Sequence, residues 1–136
     1  MAETTQFELV SPEKLVVSKA VEMVVVPGSE GYFGVLPRHA PMISTLSSGV
    51  IDIYEGGSVT EKIFVAGGFA EVTEERCTIL AEEARNLAEV DVAETEKAIA
   101  DARDVMKDKS DEVERQKLET RIAVLEAMLD AKKAAA

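Results

Sequence analysis

The chain has 136 residues and a mass of 14.7 kDa, which suits one domain or a small domain with an appendage. Hydrophobic residues make up 46% of it, but aromatics only 4% and Trp none, so its core must be aliphatic. A formal charge of −11 repels phosphate backbones, and no basic stripe is present to release counterions, which argues against nucleic-acid binding.

The first ten residues carry no Lys or Arg, and the longest apolar stretch, around Met23 to Val26, is far shorter than the roughly 20 residues that span a bilayer. The chain therefore reads as soluble and untargeted, with no membrane insertion. Cys77 is the only cysteine and His39 the only histidine, so neither an internal disulfide nor a Cys/His zinc set can form, and no metal or cofactor is expected. This usage fits a reducing compartment.

From Phe7 to about Ala81 short β-type runs follow one another: FELV, KLVVSKAVEMVVV, GVIDIYE, EKIFVA, FAEV and CTIL, punctuated by Pro and Gly. Alternation in Val50-Ile51-Asp52-Ile53 and Ala70-Glu71-Val72-Thr73 gives each strand one apolar face, the pattern of two packed sheets. Paired glycines at Glu55-Gly56-Gly57-Ser58 predict a tight hairpin, and Gly67-Gly68 a tight turn or bulge. The connections fit a Greek-key-like sandwich or a flattened barrel.

Between the early strands lies the run from Val26 to Met42, where three prolines and three glycines interleave with apolar and charged side chains. Proline fixes φ and glycine permits positive φ, so this run predicts defined turns displaying Tyr32, Phe33, Arg38 and His39. The competing reading makes these turns plain connections, with Tyr32 and Phe33 filling the core.

After Glu82 glycine disappears and Ala, Glu, Asp, Lys and Arg dominate, which predicts helix. Val92, Ile99 and Met106, with Ala102 and Val105 beside them, mark one face of a first helix, and Ile122, Leu125 and Leu129 one of a second. The break falls near Lys109-Ser110-Asp111. Asp91 with Glu94, and Asp111 with Glu114, supply helix-start signals. Pairs such as Asp111 with Arg115 and Glu114 with Lys117 add only about 0.2–0.5 kcal/mol each. The thin, Ala-rich stripes leave the hairpin marginal by itself, so it docks on the sandwich or on a partner. The expected division is a β-sandwich over 1–86 and a helical hairpin over 87–136.

Catalytic patterns are weak. Gly28-Ser29-Glu30-Gly31-Tyr32-Phe33-Gly34 lacks the Lys and Ser or Thr of a phosphate loop. A hydrolase would have to use His39 with Ser44, Ser47 or Ser48, yet no G-x-S-x-G turn exists. With 26 acids, carboxylate pairs such as Glu74-Glu75 read as a solvated rim, and Cys77 as a buried small hydrophobe. The sequence predicts a non-catalytic chain with partner-facing surfaces. The alternatives are a small hydrolase centred on His39 and a free-standing adaptor with a coiled-coil handle.

The run P-G-S-E-G-Y-F-G-V-L-P-R-H-A-P, then L-S-S-G-V-I-D-I, then F-V-A-G-G-F-A-E-V, resembles the epsilon subunit of the bacterial F-type ATP synthase, whose mitochondrial counterpart is called delta. The likeness spans nearly the whole chain. It implies a ten-stranded β-sandwich at the foot of the rotor, coupling the c-ring to the gamma subunit. The complex would hold the chain peripherally at the cytoplasmic face of an energy-transducing inner membrane. By motif position it implies that Glu30, Gly31 and Tyr32 face the c-ring and that Arg38, His39 and Met42 lie at or near gamma. Arg38 departs from the glycine common there in the family.

The same resemblance implies a hairpin that folds up or extends toward the catalytic alpha and beta subunits and restrains ATP hydrolysis. In some members Asp-x-x-Arg-Ala on the first helix helps to bind ATP. Here the stretch is Asp91-Val92-Ala93-Glu94-Thr95, and Glu94 in place of Arg removes a phosphate ligand and adds negative charge, so weakened or absent nucleotide binding is expected.

Overall fold

The computed structural model describes residues 3–135. Ten strands come first: β1 (Thr5–Val10), β2 (Leu15–Val21), β3 (Met23–Gly28), β4 (Gly31–Val35), β5 (Met42–Thr45), β6 (Gly49–Glu55), β7 (Ser58–Val65), β8 (Gly68–Val72), β9 (Arg76–Ala81) and β10 (Ala84–Asn86). A 3-10 turn at Leu87–Glu89 precedes α1 (Val92–Lys107) and α2 (Glu112–Ala135). The fold class expected from the sequence, a ten-stranded sandwich followed by a two-helix hairpin, is the one observed. The chain forms two compact units, one ending at Asn86 and the other beginning at Leu87.

The strands make two five-stranded sheets, ordered β2-β1-β9-β8-β5 and β10-β7-β6-β3-β4. Period-2 alternation builds the interior: Phe7 and Leu9, Ile51 and Ile53, Ile63 and Val65, Ala70 and Val72, and Cys77 and Ile79 are all buried between the sheets. Each large aliphatic or aromatic side chain so buried contributes about 1.5–3 kcal/mol. Burial pushes the Cys77 thiol up to about 12, so it stays neutral and serves as packing. Pairing is antiparallel except that β1 runs parallel to β9, which places Val10 beside Leu80.

Two glycine pairs turn the chain differently. Gly56 and Gly57, at φ 63 and 83, close the β6–β7 hairpin in the left-handed geometry of a type I′ turn. Gly67 and Gly68, at φ 74 and 122, instead carry the chain from β7 in one sheet to β8 in the other. A Cβ on Gly68 would sit 2.0 Å from the Leu80 carbonyl oxygen, so only glycine lets β8 approach β9 here. At this end the sheets are also joined by a Gly28–Leu46 bridge, while the Leu46 N–H donates to the Gly68 carbonyl at 2.9 Å and extends the β5–β8 pairing of the first sheet. At the open edge Lys19 of β2 reaches across to Glu55 of β6 at 2.6 Å and Glu61 of β7 at 2.5 Å.

In the hairpin unit, Asp91 caps α1, its carboxylate accepting the Glu94 N–H at 2.9 Å. Asp111 accepts the Val113 N–H at 2.8 Å at the start of α2. The helices run antiparallel, with Arg103 paired to Glu126 at 2.7 Å and Lys133 to Glu96 at 3.6 Å. Their shared apolar cluster is Ile99, Ile122 and Leu125, flanked by Ala102, Met106 and Leu129.

Three details differ from the sequence reading. Val105 is 46% exposed, because the buried stripe of α1 steps through Thr95, Ile99, Ala102 and Met106. Met128 of α2 is buried as well, outside the stripe of Ile122, Leu125 and Leu129. Arg115 does not pair with Asp111; its guanidinium donates to the carbonyls of Met106 and Lys109, both at 3.1 Å, capping the carbonyl end of α1.

Candidate functional site

The Pro/Gly run is a strand hairpin followed by a connection, and its two halves lie at opposite ends of the sandwich. β3 and β4 pair from Val24–Val35 to Gly28–Gly31, leaving Ser29 and Glu30 as the exposed tip. Gly28 must be glycine, since a Cβ there would lie 2.8 Å from the Phe33 ring. Tyr32 stands 61% exposed just behind the tip, yet its hydroxyl accepts the Val50 N–H at 3.3 Å. Gly49 makes room for it, as a Cβ there would be 2.6 Å from the Tyr32 hydroxyl. Glu30, Gly31 and Tyr32 are thus grouped, and Tyr32 is anchored in place. Phe33 is half-buried and packs on the core.

β4 then crosses the sheet, about 13 Å at 3.3 Å per residue, and delivers residues 36–41 to the other end. There Arg38 and His39 lie in a turn in which the His39 N–H donates to the Leu36 carbonyl at 3.1 Å and the Arg38 N–H to the Glu74 carbonyl at 2.9 Å. Met42 opens β5, opposite Val72, and is half-buried against the core. Among the described residues Arg38 is the only non-glycine with positive φ, at 66. An L side chain in that left-handed region costs about 1–2 kcal/mol. Its guanidinium pairs with Glu3 at 2.8 Å, but the two side chains are 78% and 60% exposed, a setting where ion pairs return only about 0–1 kcal/mol.

No hydrolytic constellation forms around His39. Its Nδ1 lies 2.7 Å from the Ala40 carbonyl, which fixes that nitrogen as a donor. Ser44 donates to the Thr45 carbonyl at 2.9 Å, and Ser47 and Ser48 follow β5, at the end where Leu46 bridges to Gly28. No group of three or more His, Cys, Asp or Glu among the described residues is placed to hold a metal ion.

A feature absent from the sequence reading is an apolar row on the outer face of the first sheet. Leu15 pairs with Val10, Val10 with Leu80, and Leu80 with Phe69, all on the face away from the buried Leu9, Ile79 and Ala70. Leu15, Leu80 and Phe69 are 56%, 53% and 54% exposed, and Ile43 on the neighbouring edge strand is 74% exposed. A shallow groove of about 270 Å3 runs between Val10, Pro12, Phe69 and Leu80. Contiguous exposed apolar side chains of this kind mark protein contact surfaces.

On the hairpin, the Asp91 carboxylate is occupied as the helix cap, and the Glu94 side chain is exposed on the first turn. The groove between α1 and α2, about 290 Å3, is rimmed by Glu96, Glu126 and Asp130 against the single guanidinium of Arg103, itself tied to Glu126. A triphosphate would meet repulsion there.

Residues 4–87 match the family model described as ATP synthase, Delta/Epsilon chain, beta-sandwich domain. The ATP synthase epsilon chain of Rhodospirillum rubrum is 53% identical over 133 residues, covering 98% of this chain and 99% of that one. The epsilon chain of Rhodospirillum centenum is 56% identical over 135 residues, covering 96% and 92%. Among solved structures, a chain in the Euglena gracilis mitochondrial ATP synthase, described as OSCP/F1/c-ring, superposes with a TM-score of 0.76 at 27% identity, over 94% of this chain and 81% of that one. A chain in the Tetrahymena thermophila mitochondrial ATP synthase, described as central stalk/c-ring, shares the fold, with a TM-score of 0.65 at 14% identity over 96% and 97%. With relatives this similar along nearly its whole length, the chain belongs to the ATP synthase delta/epsilon family.

Proposed function

We propose that the chain is a non-catalytic central-stalk subunit of a proton-translocating F-type ATP synthase, coupling c-ring rotation to gamma. The observation that carries this reading is the apolar row of Leu15, Val10, Leu80 and Phe69, a ready-made contact face on a rigid sheet. Names of relatives and of structural neighbours, which include the central stalk and the c-ring, supply the assembly. In this reading the outer sheet face, with Arg38, His39 and Met42 beyond it, takes gamma, and the anchored tip of Glu30, Gly31 and Tyr32 takes the c-ring.

In this reading attachment runs through these protein contacts, peripherally at the cytoplasmic face of the inner membrane, and no helix of the described residues is long and apolar enough to cross a membrane. The hairpin extends toward alpha and beta and restrains hydrolysis. Nucleotide control of that movement is not part of the proposal, since Glu94 and the acidic groove offer phosphate no cationic cradle.

The test compares assembled enzyme carrying the full chain with enzyme carrying a chain that ends at Val90. Proton pumping per ATP should be retained and hydrolysis should rise several-fold. Unchanged hydrolysis would sink the restraint, and lost pumping would sink the assignment of coupling to the sandwich.

A further inference from the structure

We propose that Arg38 is a recognition residue whose guanidinium engages a carboxylate of the stalk partner, and that its strained turn is kept for that contact; this rests on the stalk assignment above. The backbone at φ 66 is one that glycine adopts freely and an L side chain does not. The turn is built without the side chain, by the Arg38 N–H on Glu74 and the His39 N–H on Leu36. Among the described residues the guanidinium gains one exposed ion pair, with Glu3, which returns less than the strain costs. The fold therefore gives no reason for arginine here, and unusual backbone geometry held by an otherwise ordinary turn points to function.

The chemistry narrows the partner. A guanidinium fork matches the planar, two-oxygen geometry of a carboxylate or phosphate. An anionic membrane surface is held by clusters of several Lys or Arg, whereas the Arg38 guanidinium is paired with the Glu3 carboxylate and its backbone N–H is held by the Glu74 carbonyl. One well-placed carboxylate on a protein partner needs only the single fork. Glu3 then acts as its placeholder in the free chain, exchanged for the partner's acid on docking. Leu36, 57% exposed two residues earlier, adds apolar contact on the same turn.

The test uses the full-length chain rebinding to ATP synthase from which this chain has been stripped. Arg38→Gly should raise the melting temperature of the free chain by a few degrees and yet weaken rebinding about tenfold, a change of about 1.4 kcal/mol. Arg38→Lys, which keeps the charge and the strain but loses the fork, should weaken rebinding without the thermal gain. Unchanged rebinding of Arg38→Gly, or a lower melting temperature, overturns the proposal. Binding of the wild-type chain to phosphatidylglycerol vesicles that Arg38→Gly abolishes overturns it in favour of lipid phosphate. Leu80→Asp tests the stalk-facing sheet independently: if it rebinds like wild type, that reading of the sheet fails, while the Arg38→Gly comparison still decides the role of Arg38.

Discussion

The sandwich and the hairpin bury apolar surface in different ways. The sandwich closes side chains from nine of its strands, or their immediate ends, into one interior, with Phe7, Leu9, Val24, Val26, Ile51, Ile53 and Ile79 wholly inaccessible. The hairpin's shared cluster rests on Ile99, Ile122 and Leu125, Leu87, Val90 and Met128 are also buried in that unit, and polar ties add to them, among them Arg115 on Met106 and Lys132 on the Leu87 carbonyl at 2.7 Å. Since each large buried side chain contributes about 1.5–3 kcal/mol, the sandwich holds the larger reserve, and a helix pair with so narrow a stripe sits near the margin. In the function proposed above, the face that couples the rotor lies on the stable unit, and the hairpin that restrains hydrolysis is the marginal one.

The largest effect should come from Gly68→Ala. With φ at 122 and a Cβ 2.0 Å from the Leu80 carbonyl, the variant must break the β8–β9 approach, at a cost of about 2–4 kcal/mol. The check is a lower urea midpoint for the sandwich, and an unchanged midpoint would show that the sheets yield more than this comparison allows. Next is Ile99→Ala, which removes about 2–3 kcal/mol from a small cluster. Amide exchange should rise through residues 92–135 while β1, β6 and β9 keep their protection. Equal loss of protection in both units would erase the distinction between them.

The smallest is Lys19→Met, at the ionic bridge between the sheets. The hydrogen bond from Lys19, then that from Thr60, holds Glu55 below the usual carboxylate range, while Glu55 and then Glu61 raise Lys19 above its ordinary value. A depressed carboxylate stabilises above its unfolded value and loses that contribution as pH falls through the folded one. A raised amine stabilises below its unfolded value and loses its contribution as pH rises through the folded one. The variant should therefore be slightly less stable at pH 7 and decline less steeply at both the acid and the alkaline extremes. Denaturation midpoints across pH check this, and wild-type-like slopes would remove the bridge from the account.

Much of the architecture was legible because it is local. Alternation in β6 and β8, the Gly56-Gly57 hairpin and the Asp91 cap each depend on neighbours in sequence. The short strands β4, β5 and β10 were not separately legible, being brief and framed by glycine, proline or acidic residues. The apolar row was invisible for a different reason: Val10 meets Leu80 only through the parallel β1–β9 pairing, across most of the first unit. Gly67-Gly68 could be read as a turn, but not as a passage between sheets, because that depends on which strand receives β8. The departure at Arg38 came from the resemblance, and its physical meaning, a left-handed backbone, from the structure.

In the function proposed above, the outer face of the first sheet is the stalk contact. The most direct measurement is rebinding of full-length Phe69→Asp to ATP synthase stripped of this chain. Phe69 is 54% exposed on that face, so the free variant should melt as the wild type does, while its affinity should fall about 100-fold, as for loss of a central apolar anchor. Wild-type affinity in a normally folded Phe69→Asp chain would contradict the account.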